Sequence, residues 1–126
     1  VIDSRYRDFR FTLPDVVADN ASSGAFVTGS PMLRPGDLDL TTEAVLVEVD
    51  GEIVDTATGA AVLGHPGEAL ALAANSLARR GHSIKAGQIV LTGGITDAYP
   101  VPAGVTVAFH FTHLGTITVA GGPPCP

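Results

Sequence analysis

Asp50-Gly51 lies between two short apolar-rich runs, Ala44-Val-Leu-Val-Glu-Val49 and Glu52-Ile-Val-Asp-Thr56, and so commits this chain to a β-hairpin. A two-residue Asp-Gly turn takes positive φ at both positions, and that geometry matches the right-handed twist of the strands it joins. Val105 to Phe111 alternates strictly, Thr116 to Val119 follows it, and His113-Leu-Gly115 predicts a second hairpin between them. Shorter strands are expected at Ala25–Thr28 and Ile89–Leu91. Phe9, Phe11 and Leu13 alternate with Arg10 and Thr12, which predicts an extended segment over residues 5–17 that Pro14 interrupts.

A single convincing helix is predicted over Pro66–Arg80. Pro66 falls in its first turn, Glu68 at its positive end, Arg79 and Arg80 at its negative end, and Gly81 terminates it. Leu70, Ala73 and Leu77 share one face, widened by Ala69 and Leu72, so the helix is expected to pack on a sheet. Many short strands with one helix, lacking regular strand–helix alternation, make a β-rich α+β chain rather than a doubly wound one.

With 126 residues, 45% of them hydrophobic, there is material for one cored domain and not for two. Residues 1–120 are expected to form it, with 121–126 as a flexible tail. Only 7 Lys and Arg against a net charge of -6 leave no basic stripe for phosphates, which disfavours nucleic-acid binding and anionic membranes. No apolar run approaches the roughly 18 residues of a membrane span. The start, Val-Ile-Asp-Ser-Arg, does not read as a signal peptide. Cys125, the single cysteine, has no intrachain partner, reads as a mobile tail residue, and is compatible with a reducing cytoplasm. The chain lacks an initial Met and begins as if inside a structured element, so it is expected to be a fragment or processed half.

Several polar groupings bear on chemistry. Val90 to Gly104 joins an apolar run to Gly93-Gly94 and then to a polar, proline-stiffened loop, the kind of segment that presents a ligand. Asp19-Asn20-Ala21-Ser22-Ser23 packs a carboxylate, an amide and two hydroxyls together. Such residues cap a helix or build an Asx turn, and equally form a pocket wall whose donors orient carboxylate and enolate oxygens. Glu48, Asp50 and Glu52 would share a face on a continuous strand, but the turn at Asp50 breaks it, so they read as an acidic hairpin tip rather than a cation site. His65, His82, His110 and His113 show no zinc spacing. His110 and His113 flank the last turn and read as turn-exposed. No Gly-x-Ser-x-Gly elbow and no phosphate loop is present.

Taken together, Val1–Gly24, Gly59–Pro66, His82–Gly94 and Leu114–Thr116 resemble the C-terminal half of the hydratase/decarboxylase family. That group contains 4-oxalocrotonate decarboxylase and 2-hydroxypenta-2,4-dienoate hydratase and is related to fumarylacetoacetate hydrolases. Ile2-Asp-Ser-Arg-Tyr6, Phe9 to Asn20 and Leu91 to Thr96 resemble the decarboxylase branch. The resemblance implies a mixed rolled β-sheet and a divalent metal, magnesium or manganese, chelated by the 2-oxo acid end of a dienoate and acting as electron sink. It implies a cytoplasmic lyase of catechol meta-cleavage degradation, either decarboxylating 4-oxalocrotonate or hydrating the vinyl group of 2-hydroxypenta-2,4-dienoate. A homo-oligomer or a decarboxylase–hydratase complex is expected. The family's metal ligands, a Glu-x-Glu pair and a further acid, have no counterpart here and are expected in an N-terminal half. What carries over is a second wall: Asn20 and Ser22 as catalytic donors to substrate oxygens, Ser23, Thr92, Gly93 and Gly94 at the substrate, and Asp3 with Arg5 as a supporting ion pair. Without the metal ligands the isolated chain is expected to be inactive, and a non-catalytic interaction module is the reading from a different class.

Overall fold

Asp50 and Gly51 take φ of 50° and 90°, so both turn positions are left-handed as the hairpin requires. The computed structural model, which describes residues 1–123, builds the sheet outward from this turn. Strand β1 (Ala44–Val49) pairs antiparallel with β2 (Glu52–Thr58), from Val49 opposite Glu52 to Ala44 opposite Thr58. A register shift at Val47/Glu48 leaves Val54 as the extra residue of a bulge. Asp50 also fixes the turn to a distant strand. Its backbone N–H donates to the Thr106 carbonyl at 2.9 Å, and its Oδ1 accepts the Thr106 N–H at 2.8 Å.

That contact opens β3 (Thr106–Phe111), which pairs antiparallel with β1 and with β4 (Gly115–Ala120), giving the order β2-β1-β3-β4. Cross-strand rows place Asp55, Val47, Phe109 and Ile117 on one face, next to a row of Val49, Val107 and Val119. Val45, Val47 and Val107 are at most 1% exposed, so the core lies on this face. Burying each such β-branched side chain stabilises by roughly 1.5–3 kcal/mol.

Helix α2 (Pro66–Ala78) starts and stops as its sequence dictates. The His65 Nδ1 accepts the Gly67 N–H at 2.9 Å, and Gly81 at φ 75° ends the element. Its expected packing on the sheet is not found. No α2 residue is buried, and Leu70 and Leu72 are 41% and 59% exposed. Periodicity locates an apolar stripe but not what covers it.

Three strand expectations are corrected. Residues 5–17 are not extended: Arg7–Phe9 forms a tight turn and α1 covers Leu13–Ala18. The capping box decides this, because the Asp15 carboxylate accepts the Thr12 N–H at 2.8 Å and its hydroxyl at 2.7 Å, while Pro14 fits the first helical turn. Ala25–Thr28 and Ile89–Leu91 are irregular. Among the described residues neither has a ladder partner, and an apolar run without one has no reason to stay in a strand. Residues 124–126, with Cys125 and half of the expected tail, lie outside the described part. No helix among the described residues is long and apolar enough to cross a membrane.

Candidate functional site

The apolar face of β3 and β4 is the floor of an open cleft of about 1140 Å³. Val107, Phe109, Phe111, Ile117 and Val119 line it from the sheet. The first residues of the chain, with Asp3, Ser4 and Tyr6, line one side, and the loop from Gly93 to Val101 lines another. Of the candidates from sequence, Asp3, Gly93 and Gly94 meet here. Thr92 lines an adjoining recess of about 220 Å³, which shares Gly93 and reaches Glu43. Gly93 has φ of 125°, a conformation that disfavours any side chain. Among the described residues, the N–H groups of Gly93 and Gly94 have no protein acceptor.

Arg5, Asn20, Ser22 and Ser23 do not line the cleft; they form the support of its N-terminal wall. Asn20, Ala21 and Ser22 have φ of 51°, 54° and 54°, a left-handed turn costing roughly 1–2 kcal/mol per residue that lacks a glycine. Two contacts hold it. The Ser22 carbonyl accepts the Asp3 N–H at 2.8 Å, and the Ser22 hydroxyl, in a residue 3% exposed, donates to Asp19 Oδ2 at 2.8 Å. Ser22 therefore spends its hydroxyl on the scaffold. Ser23 bridges Ile2, and Asn20 is exposed.

The expected Asp3–Arg5 ion pair is replaced. The Arg5 guanidinium pairs with the buried Asp19 carboxylate and reaches Asp3 only at its backbone carbonyl, 2.9 Å away. Burial pushes the Asp19 pKa up, but hydrogen bonds from the Ser22 hydroxyl and the Arg5 backbone and guanidinium outweigh it and hold the carboxyl below its ordinary value. Asp19 was visible in the polar cluster, yet nothing local distinguished it from its neighbours.

Two other carboxylates escape a reading of spacing. Glu43, 4% exposed, accepts the His113 N–H at 2.8 Å, the Leu114 N–H at 3.3 Å and the His113 ring at 2.7 Å. Burial raises its pKa, and these hydrogen bonds more than reverse the effect. Asp55 accepts the Tyr99 hydroxyl at 2.7 Å; that bond, with burial, pushes the phenol up to about 12, so Tyr99 remains a donor at neutral pH. His113 thus braces the β3–β4 turn. His110 faces the side of the sheet away from the cleft, between Glu48 at 3.2 Å and Thr116 at 3.0 Å. Among the described residues no three His, Cys, Asp or Glu side chains converge on a point that could hold a metal ion.

The Glu43 bonds set an acid limit. A carboxyl with its folded pKa below the ordinary 4.5 contributes fully above that pH and loses its contribution as pH falls through the folded value. Asp15, Asp19 and Asp39 are lowered in the same sense. Urea midpoints are expected to stay level from neutral pH to about pH 5 and then fall. A midpoint that rises on acidification would contradict this.

No protein-family model matches the chain. It is nevertheless 50% identical over 118 residues to a 4-oxalocrotonate decarboxylase of a Pseudomonas species, covering 94% of this chain and 45% of that one. A 2-keto-4-pentenoate hydratase of Burkholderia vietnamiensis is 43% identical over 117 residues, covering 93% and 45%. The fold matches a solved 4-oxalocrotonate decarboxylase from Pseudomonas putida, complexed with magnesium and adipate, with TM-score 0.90 and 47% identity over 95% of this chain and 46% of that one. The chain spans about half the length of the relatives it matches. Its resemblance in sequence to these decarboxylases and hydratases, and in fold to the decarboxylase, holds over nearly its whole length.

Proposed function

We propose that this chain supplies one part of a divalent-metal-dependent lyase that decarboxylates a 2-oxo- or 2-hydroxy-dienedioate such as 4-oxalocrotonate in catechol meta-cleavage degradation. The observation carrying this reading is the 50% identity to a decarboxylase over 118 residues. A hydratase acting on 2-hydroxypenta-2,4-dienoate is the second reading, favoured by the 43% identity to such an enzyme over nearly the same span. Solved decarboxylase structures bound to magnesium or to calcium support a divalent cation. The side chains described here do not fit such an ion by themselves, since no three ligating groups converge. As the family resemblance implies, we place its ligands in the part of the enzyme beyond this chain.

The chain's own contribution is a wall. The valines and aromatic rings of β3 and β4 exclude water from one side of the substrate, and the open N–H groups of Gly93 and Gly94 are donors for carboxylate or enolate oxygens. Asp3 borders the same space, with Arg5, Ser22 and Ser23 holding its segment. Asn20 beside them and Thr92 in the adjoining recess complete the assignment. Leu70 and Leu72, exposed at the two edges of the α2 apolar stripe, fit burial against that part of the enzyme or within an oligomer. A cytoplasmic location is part of the reading.

The test compares the complete enzyme with the 126-residue chain, each with magnesium or manganese, on both dienoates. Carbon dioxide release by the complete enzyme and no turnover by the chain alone is expected. Water addition without carbon dioxide release selects the hydratase. No turnover of either compound by the complete enzyme would leave the interaction module, and turnover by the chain alone would refute the division of labour.

A further inference from the structure

Asp55 is a carboxylate set in an otherwise apolar cross-strand row, beside Val47, Phe109 and Ile117. Both its oxygens are occupied: Oδ1 accepts the Thr56 N–H at 2.7 Å and Oδ2 the Tyr99 hydroxyl at 2.7 Å. Tyr99 belongs to the loop that forms one side of the cleft. From Ile89 to Val101 that segment has no strand partner, and its one other hydrogen bond, Thr96 Oγ1 to the Asp97 carbonyl, is internal. Among the described residues, the bond from Tyr99 to Asp55 is the single hydrogen bond joining residues 89–101 to the rest of the chain.

We propose that Asp55 is a positioning residue: through Tyr99 it tethers the Gly93–Val101 loop across the sheet and so sets the cleft's width and the placement of the Gly93 and Gly94 donors. The charge of Asp55 strengthens the bond, since a hydrogen bond to an ionised acceptor is roughly twice as strong as a neutral one. At a pKa of about 12 the phenol keeps the proton that makes the bond. Loss of the tether frees the loop without removing any group proposed to touch substrate. As donors to a substrate carboxylate, which is charged in the ground state and the transition state alike, Gly93 and Gly94 are then lost to both equally, which raises KM and spares kcat.

The role in substrate placement rests on the proposed lyase reading; the tether itself does not. Both are measured in the complete enzyme, as wild type, Tyr99→Phe and Asp55→Asn. Backbone amides in residues 93–101 are expected to exchange roughly tenfold faster in Tyr99→Phe. KM is expected to rise roughly tenfold with kcat changed less than about twofold. Asp55→Asn, which keeps a neutral acceptor for the Tyr99 hydroxyl, is expected to change both in the same direction but by less. Unchanged exchange in folded Tyr99→Phe would overturn the tether. Faster exchange with unchanged KM, or with kcat falling alone, would overturn the positioning role. A wild type inactive on both dienoates would sink the lyase reading, while the exchange result would still decide the tether.

Discussion

Gly59→Ala is expected to lower stability by about 3 kcal/mol, the upper range for forcing volume into a closed space. A Cβ on Gly59 would overlap the Leu40 carbonyl oxygen, a backbone atom that cannot move aside as a side-chain tip can. Gly59 is buried where β2 ends, and its N–H donates to the Glu43 carbonyl at 3.0 Å while the next N–H, of Ala60, donates to the Thr41 carbonyl at 3.0 Å. Any shift that relieves the overlap pulls on both bonds. Gly36, with open space where a Cβ would stand, is the control: Gly36→Ala is expected within about 0.5 kcal/mol of wild type. Equal urea midpoints for the two variants would show that the close approach at Gly59 has no energetic consequence.

Glu43→Ala is expected to cost about 1–3 kcal/mol, because removing the buried carboxylate leaves the part-buried N–H groups of His113 and Leu114 without their acceptor. Those N–H groups belong to the turn between β3 and β4, so the loss loosens the last hairpin against the start of β1. Glu43→Gln keeps one acceptor oxygen and the shape, and its cost is expected to be about half as large. The pair of variants also tests the pH argument. Glu43 titrates below its ordinary value, so Gln at this position is expected to flatten the fall in stability below pH 4.5. A Gln variant with the wild-type acid limb would assign that limb to Asp15, Asp19 and Asp39 instead.

Part of the site is legible in the sequence. Gly93-Gly94 and the loop after it do border the cleft, as a glycine turn leading into a polar segment suggested. The polar turn at Asn20 to Ser23 offers donors in the sequence, but in the fold it braces the segment of Asp3, since the Ser22 hydroxyl is turned to Asp19. The acid nearest Arg5 in sequence is Asp3, two residues away, whereas the chain folds the farther Asp19 onto it. The apolar runs at Ala25–Thr28 and Ile89–Leu91 have strand composition, yet a strand is a pairing property: Ala25 meets only Val1, and neither run forms a ladder among the described residues.

What the sequence by itself determined are features closed within a few residues: the Asp50-Gly51 turn, the start of α2 at Pro66, its end at Gly81, and the alternation of β3. Each follows from dihedral preference, capping or side-chain period, which neighbours in the chain suffice to specify. Only the tertiary structure decided that Arg5 meets Asp19 across 14 residues, Asp55 meets Tyr99 across 44, and Glu43 meets the His113 ring across 70. Such pairings depend on which segments the sheet brings together and which polar groups burial then forces to find a partner. No local period encodes that choice, because the cost of an unpaired buried group arises only once the fold has closed over it.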